Sequence, residues 1–392
     1  MINIDLKHCT ACGACAQKCP CGAIALAENK DGFLFPKIDS KCCVNCGKCE
    51  SVCPINKELT CGKPTAYAAV NTNLSELMQE TSGGVFGAIA NYILINGGVV
   101  YGCSFSDELQ AEHIRLTSSD KLNCLYGSKY VQSNTMNTFS EVKTDLKNGK
   151  TVLYSGTPCQ IAGLKTFLEH DYQNLITVDL ICHGVPSQAF FNKFISGIEI
   201  KENAKLKSLC FRSKQTKGCS YSGKYVFLKN ETIEEKPFYY FEHYYYWYFL
   251  KGATYRESCY RCKYANTNRQ GDFTLGDFWG AEKYNLGFKT NKGCSLVLLN
   301  TEKSKTLFKK LKLKSQSVAL EDAVKNNAQL QSPSSRPIIR DDIIGQFRKL
   351  SAEEMQSQFE LRYKHQILVA RIKYAIPEPI RNILQKIRFK IK

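Results

Sequence analysis

Apolar and polar positions change period several times along the chain, and each change predicts an element. Gly98-Val99-Val100-Tyr101-Gly102 reads as a short buried strand. Thr151-Val152-Leu153-Tyr154 reads as a second, ending at Ser155-Gly156-Thr157-Pro158-Cys159 and followed by a helical pattern to Leu168. Leu175 to Ile181 is a third, leading through Cys182-His183-Gly184-Val185-Pro186 into another helical stretch. Strands that alternate with helices predict an α/β body. Residues 207–230, with Gly218 and Gly223 between β-rich runs, predict a hairpin insertion. Aromatics crowd residues 238–250 at helical spacing, which predicts core packing or a partner surface. Upstream, Phe33-Leu34-Phe35-Pro36 predicts a short strand. Beyond Pro377 and Pro379, Ile380, Ile383, Leu384, Ile387 and Ile391 share one helical face, surrounded by Arg381, Lys386, Arg388, Lys390 and Lys392. That pattern suits a basic interfacial helix, and equally a helix docked on the body or on a partner.

Cysteine changes this picture most. Eleven of the 20 cysteines lie in the first 61 residues. There Cys9, Cys12, Cys15 and Cys19-Pro20 repeat, at the same spacing, as Cys43, Cys46, Cys49 and Cys53-Pro54. Each half is the C-x2-C-x2-C-x3-C-P run of bacterial-type iron–sulfur proteins, in which the fourth cysteine crosses to the other cluster. Cys9, Cys12, Cys15 and Cys53 are therefore assigned to a first [4Fe-4S] centre, and Cys43, Cys46, Cys49 and Cys19 to a second. Gly13 and Gly47 loosen the loops so that three thiolates converge and backbone N–H groups turn toward sulfur. Zinc knuckles use paired C-x2-C units without the following C-P, and a disulfide framework belongs to small secreted chains. Cys21, Cys42 and Cys61 fall outside the register and read as spare thiols.

A further set lies in the body. Cys159 and Cys182 each follow a predicted strand, at the sheet edge where ligands gather in α/β folds. Cys259 and Cys262 form a C-x2-C pair. Four thiolates from three segments suit a third [4Fe-4S] cluster, with a zinc site on the same four as the alternative. Cys103, Cys124, Cys210, Cys219 and Cys294 lack such spacing and read as ordinary buried thiols.

The formal net charge is +17, and about half comes from residues 362–392, where nine Lys/Arg face only Glu378. A basic body attracts an acidic electron carrier, a phosphorylated cofactor or an anionic membrane. No zinc finger, RNA-binding sheet signature or helix-turn-helix favours nucleic acid. No apolar run approaches a membrane span and no signal-peptide core is present, so a reducing cytoplasm is expected, with peripheral membrane contact through the basic tail.

Five pieces of the body, in order, resemble the coenzyme F-420 hydrogenase/dehydrogenase beta-subunit family. They are Thr81-Ser82-Gly83-Gly84, Gly127-Ser128-Lys129-Tyr130, Gly156-Thr157-Pro158-Cys159-Gln160, Cys182-His183-Gly184, and Cys259-Tyr-Arg-Cys262 leading to Gly271-Asp272 and Gly276-Asp277-Phe278-Trp279-Gly280. Together they cover roughly residues 62–300, within the usual boundary tolerance. The resemblance implies FAD beside iron–sulfur clusters and electron exchange with a ring substrate, and it favours iron over zinc at the third site. Ser82, Gly83 and Gly84, at the start of the apolar run Val85–Leu94, would offer bare amides to a pyrophosphate, although Ser82 also suits a plain helix cap. Lys129, beside Ser128 and Tyr130, would add charge to the same phosphates, although it also suits a plain surface lysine in a turn. His183 and Asp277 stand where protons are handled near a flavin, yet no catalytic acid is assigned, because the cofactor carries hydride chemistry itself.

The expected fold class is α+β. Residues 1–61 form a two-cluster ferredoxin-like domain, 62–345 an α/β flavin and iron–sulfur body, and 346–392 a basic helical tail. The expected activity is that of an FAD-dependent iron–sulfur oxidoreductase, fed by ferredoxin or another carrier, acting on coenzyme F-420 or on a metabolite or glycan precursor. The alternative is an electron-transfer subunit whose active site sits in a partner.

Overall fold

The computed structural model describes residues 6–58, 62–217 and 221–376. The expected helix beyond Pro377, together with Cys61 and Cys219, lies outside the described residues.

The N-terminal unit is built on a short antiparallel hairpin, β1 (Ile24–Glu28) and β2 (Leu34–Ile38), with Ile24 opposite Ile38. The strand expected at Phe33–Pro36 is β2. Two one-turn helices, Ala14–Lys18 and Lys48–Ser51, flank the hairpin, one in each cysteine run.

The body is an eight-stranded mixed sheet. Its strands are β3 (Thr65–Asn71), β4 (Val99–Phe105), β5 (Ala111–Leu116), β6 (Val152–Gly156), β7 (Leu175–Leu180), β11 (Phe273–Asp277), β12 (Ser295–Leu299) and β13 (Leu313–Val318), in the order β13-β3-β12-β11-β7-β6-β4-β5. The central four, β4, β6, β7 and β11, run parallel, while β5 and β12 pair antiparallel with the outer members of this set. Parallel strands are buried on both faces, which explains their nearly continuous apolar sequences. Val152 and Tyr154 point to one face with Val99 and Tyr101, where Ile161, Leu164 and Leu168 of the helix Pro158–Leu168 cover them. Leu153 and Val100 point to the other face, beneath Val85, Ile89 and Ile93 of the helix Val85–Ile95. Cys12, Ala14 and Val52 share the first of these cores, so the N-terminal unit is packed onto the body through the 158–168 helix.

The expected hairpin insertion is larger than its pattern suggested. It is a three-stranded antiparallel sheet of β8 (Lys205–Cys210), β9 (Ser222–Lys229) and β10 (Thr232–Tyr239), and its tight turn falls at Asn230-Glu231, both at positive φ. The glycines at 218 and 223 drew attention to the wrong end of β9.

The aromatic segment is core. Tyr244–Leu250 forms a short helix in which Tyr245, Tyr246 and Tyr248 are almost wholly buried against Phe190, Phe191 and Phe194 of the helix Gln188–Glu202. Helices Arg340–Lys349, Ala352–Arg362 and Lys364–Ala375 close this core with Ile343, Met355, Phe359 and Ile367. The described part of the expected basic tail is therefore a docked structural element. Among the described residues no helix is long and apolar enough to cross a membrane.

Phe359 has no exposed surface and packs its ring against Trp247, Tyr248 and Tyr363. Phe359→Ala should cost about 3–5 kcal/mol of stability. Anaerobic denaturant titration followed by tyrosine and tryptophan fluorescence measures this, and an unchanged midpoint would show that the C-terminal helices do not share the core.

Candidate iron–sulfur path

The two cysteine runs share left-handed residues at the same two positions. In the first, Ala11 and Gly13 lie at φ 50° and 85°; in the second, Asn45 and Gly47 lie at φ 52° and 69°. Two left-handed residues around the second cysteine of each run curl the loop and turn N–H groups inward. Ala11 N donates to Cys9 Sγ at 3.4 Å, and Ala23 N to Cys19 Sγ at 3.3 Å. Gly13 and Gly47 were expected in this role, whereas Ala11 and Asn45 were not; alanine gives no sign of a positive φ, although asparagine is enriched there.

The first expected set converges. Burial pushes the Cys15 thiol up to about 12, and Cys9, Cys53 and Cys49 add to the rise in that order. Cys12 is raised chiefly by burial and further by Cys15, Cys159 and Cys9, while Cys53 is raised by burial and then by Cys9. The second set, Cys19, Cys43, Cys46 and Cys49, lines one hollow at the surface together with Cys21. Cys21 Sγ lies 3.8 Å from Cys19 Sγ, so this spare thiol borders the second site.

The body cysteines also meet. Cys159 is the second residue of the 158–168 helix, whose start is fixed by a capping box between Thr157 and Gln160. Cys182 follows β7, and Cys259 and Cys262 border the 3₁₀ turn Glu257–Arg261. Burial raises Cys182 strongly, and Cys259, Cys159 and Cys262 each raise it further. Cys259 is pushed up to about 12 by burial and then by Cys262 and Cys159, and Cys262 to about 11 by burial and then by Cys159. Four thiols from three segments thus form a hub at the carboxyl edge of the parallel strands. Among the described residues no three His, Cys, Asp or Glu side chains lie close enough to hold a single metal ion.

The three sites adjoin. Cys15 feels Cys49, and Cys12 feels Cys159. The 158–168 helix sets the second of these approaches, because Cys159 and Gly163 lie on one face of it. A Cβ on Gly163 would stand 2.8 Å from Cys12 Sγ, so this position holds glycine to let the first loop approach. Tyr264 lies among Cys159, Cys12, Cys262 and Cys53, between the first site and the hub. Arg269, buried and paired to Asp179 at 3.1 Å, ties the segment after Cys262 to β7 through Leu180 O. Sequence reasoning missed Gly163, Tyr264, Arg269 and Asp179, which have no motif spacing.

The expected phosphate contacts fare differently. Ser82, Gly83 and Gly84 are buried. Ser82 Oγ donates to Cys294 O at 2.7 Å, and Gly83 N donates to Ser295 Oγ at 2.9 Å. The N–H of Gly87 donates to Glu80 Oε2 at 2.8 Å, so the chain's own carboxyl stands at the start of the 85–95 helix. This turn fastens a helix to β12. Lys129 donates to Cys124 O and Tyr126 O, at 3.0 and 2.8 Å, and so anchors its own loop. Tyr130 stacks on Phe249 with centroids 4.3 Å apart. Cys103, Cys124 and Cys210 are half-buried around Lys129, and Cys294 alone of the described leftover thiols is fully buried.

Asp277 is held by Arg212 Nη1 at 2.5 Å, and that guanidinium lies beside the rings of Tyr221 and Trp279. His183 is exposed beside Cys182 of the hub, and its pKa is lowered by desolvation against an opposing pull from Asp277.

Residues 8–57 match the 4Fe-4S dicluster domain, and residues 149–325 match the family described as the carboxyl terminus of the coenzyme F420 hydrogenase/dehydrogenase beta subunit. The chain joins a 4Fe-4S dicluster domain to the carboxyl-terminal domain of the F420 hydrogenase/dehydrogenase beta-subunit family. It is an iron–sulfur protein related to these oxidoreductase subunits. The beta-subunit match holds Cys159, Cys182, Cys259 and Cys262, all four hub thiols, and the dicluster match holds all eight N-terminal ones. No curated protein matches the chain. A similar chain occurs in a solved structure of the F420-reducing [NiFe] hydrogenase complex from Methanosarcina barkeri, at 15% identity, covering 72% of this chain and 99% of that one, with a TM-score of 0.42.

Two tests follow from this geometry. Gly163→Val should drive Cys12 from its place and remove about four irons per chain, read by iron analysis of anaerobically purified protein; a full complement would contradict the close approach. Glu80 is buried, and desolvation pushes its carboxyl up from 4.5 to about 8. The folded state then holds a proton that the unfolded chain has lost, so stability should fall as pH rises from 6 to about 8. Glu80→Gln should flatten that slope in denaturant midpoints across the range, and an unaltered slope would contradict a protonated Glu80.

Proposed function

We propose that this chain is an electron-transfer oxidoreductase subunit with three four-iron centres in series. The second centre, in the surface hollow, exchanges electrons with a soluble carrier. The first centre relays them past Cys12 and Cys159 to the hub, and the hub serves an acceptor in the recess beside His183. The observation that carries this reading is the meeting of Cys159, Cys182, Cys259 and Cys262 next to Cys12. Buried thiols at high pKa ionise when a strongly cationic core binds them, and an iron–sulfur cubane supplies that charge.

The FAD implied by resemblance belongs to this reading only at the Tyr130 end, where Tyr130 lies beside Ser128 and Arg212, and Arg212 beside Tyr221 and Trp279. A flavin there would divide a two-electron hydride exchange into the single-electron steps that clusters carry. Ser82–Gly84 take no part, and no phosphate site is assigned. Coenzyme F-420, or another anionic ring substrate, suits a recess that holds a buried arginine between aromatic rings. A protein partner suits the open second site, where Cys46 and Val44 are exposed.

Cys259→Ser tests the hub. The wild type should hold about twelve irons per chain and the variant about eight, with the two N-terminal centres still reducible by dithionite. Electron delivery from those centres to an added acceptor should fall at least a hundredfold. A wild type with about eight irons and one zinc would overturn the three-centre path. Extraction and fluorescence of flavin from the same preparation checks the finer claim.

A further inference from the structure

Between the first centre and the hub lies a single buried cation. Arg256 is 2% exposed. Its Nε donates to Cys9 O at 2.7 Å, its Nη2 to Leu34 O at 2.8 Å and its Nη1 to Gln132 Oε1 at 3.3 Å. The guanidinium also lies 4.1 Å from the Phe35 ring centroid. All three acceptors are uncharged, and among the described residues no carboxylate pairs with it. Arg269, the other almost wholly buried arginine near the hub, has Asp179 at 3.1 Å.

A buried guanidinium cannot shed its proton, and left without an anion it is severely destabilising. The negative groups around Arg256 are sulfur. Cys9 of the first set and Cys259 and Cys159 of the hub all interact with its charge. The backbone fixes the same arrangement, since Arg256 N donates to Val185 O at 3.0 Å and Cys259 N donates to Arg256 O at 2.9 Å. One side chain therefore touches the first cysteine loop and β2 while its main chain forms the hub turn.

Resting on the three-centre reading above, we propose that Arg256 is a positioning and potential-setting residue shared by the first centre and the hub. Each centre with its four thiolates is anionic and becomes more so on reduction. A fixed cation between them stabilises both reduced forms and offsets the repulsion between two electrons on adjacent centres. It thereby brings the two potentials into range of each other and keeps the wire passable while the dicluster unit and the body stay in register. The second centre lies beyond the first and serves as an internal reference.

The test uses the full-length, anaerobically purified protein, with redox titration followed by electron paramagnetic resonance. Iron content comes first: a wild type without three centres would overturn the proposed function itself. With three centres present, Arg256→Gln should move the midpoint potentials of the first centre and the hub to more negative values and leave the second centre in place. Arg256→Lys should restore much of the shift, which a purely structural hydrogen-bonding role would not. Because Arg256→Gln removes contacts that hold the two units together, Gln132→Glu provides a second route. It leaves the guanidinium in place and sets a carboxylate against Nη1, so the same two potentials should fall while iron content holds. Unmoved potentials in Gln132→Glu at full iron content, or equal shifts in Arg256→Gln and Arg256→Lys, would overturn the proposal.

Discussion

Desolvated sulfur is the constraint from which the rest of this structure follows. Eight of the twelve assigned ligands lie in the first set and the hub. Burial pushes Cys12, Cys15, Cys53 and all four hub thiols upward, to about 12 at Cys15 and Cys259 and about 11 at Cys262. A thiol so placed is a poor anion by itself. The surrounding main chain nevertheless aims N–H groups at sulfur, from Ala14 to Cys12 and from Gly184 to Cys182, as a thiolate requires. On the proposed three-centre reading, these thiols ionise only with their metal core bound. Binding the core is then part of folding, because the N-terminal unit has little apolar interior of its own.

The fold serves this constraint through one helix. Pro158–Leu168 covers the parallel strands, places Cys159 at the hub and offers the bare backbone of Gly163 to Cys12. Thr166, on the same helix, donates to Val52 O at 2.7 Å beside Cys53. The dicluster unit is thus anchored at both of its loops that face the body. On the far side, the aromatic core around Tyr245 and Phe194 supports the loops that carry Tyr130 and Arg212, so the recess beside His183 rests on rigid packing.

Much of this was legible in the sequence, for identifiable reasons. Cluster loops must repeat in spacing, so all eight N-terminal cysteines stand out, and the fold places Cys53 near Cys9 and Cys15, and Cys19 near Cys43, Cys46 and Cys49. Parallel strands are apolar on both faces, so β4, β6 and β7 were recognisable, and with them the edge where Cys159 and Cys182 meet. Antiparallel β5 and β13 escaped because their patterns are short and partly polar. At Ser82-Gly83-Gly84 the sequence could not show the contacts with Glu80 and Ser295, because a helix start with glycines looks the same whatever lies against it. Arg256, Arg269, Tyr264 and Gly163 were invisible because their partners are distant in sequence, and only the folded chain brings Cys9 to Arg256 across 247 residues.

The most direct measurement is spin quantitation of the fully reduced, oxygen-free protein by electron paramagnetic resonance. Three reduced four-iron centres per chain are predicted, with signals broadened by magnetic interaction along a connected row. Two spins that broaden only each other, with stoichiometric zinc in the same sample, would contradict a continuous path from the surface hollow to the hub.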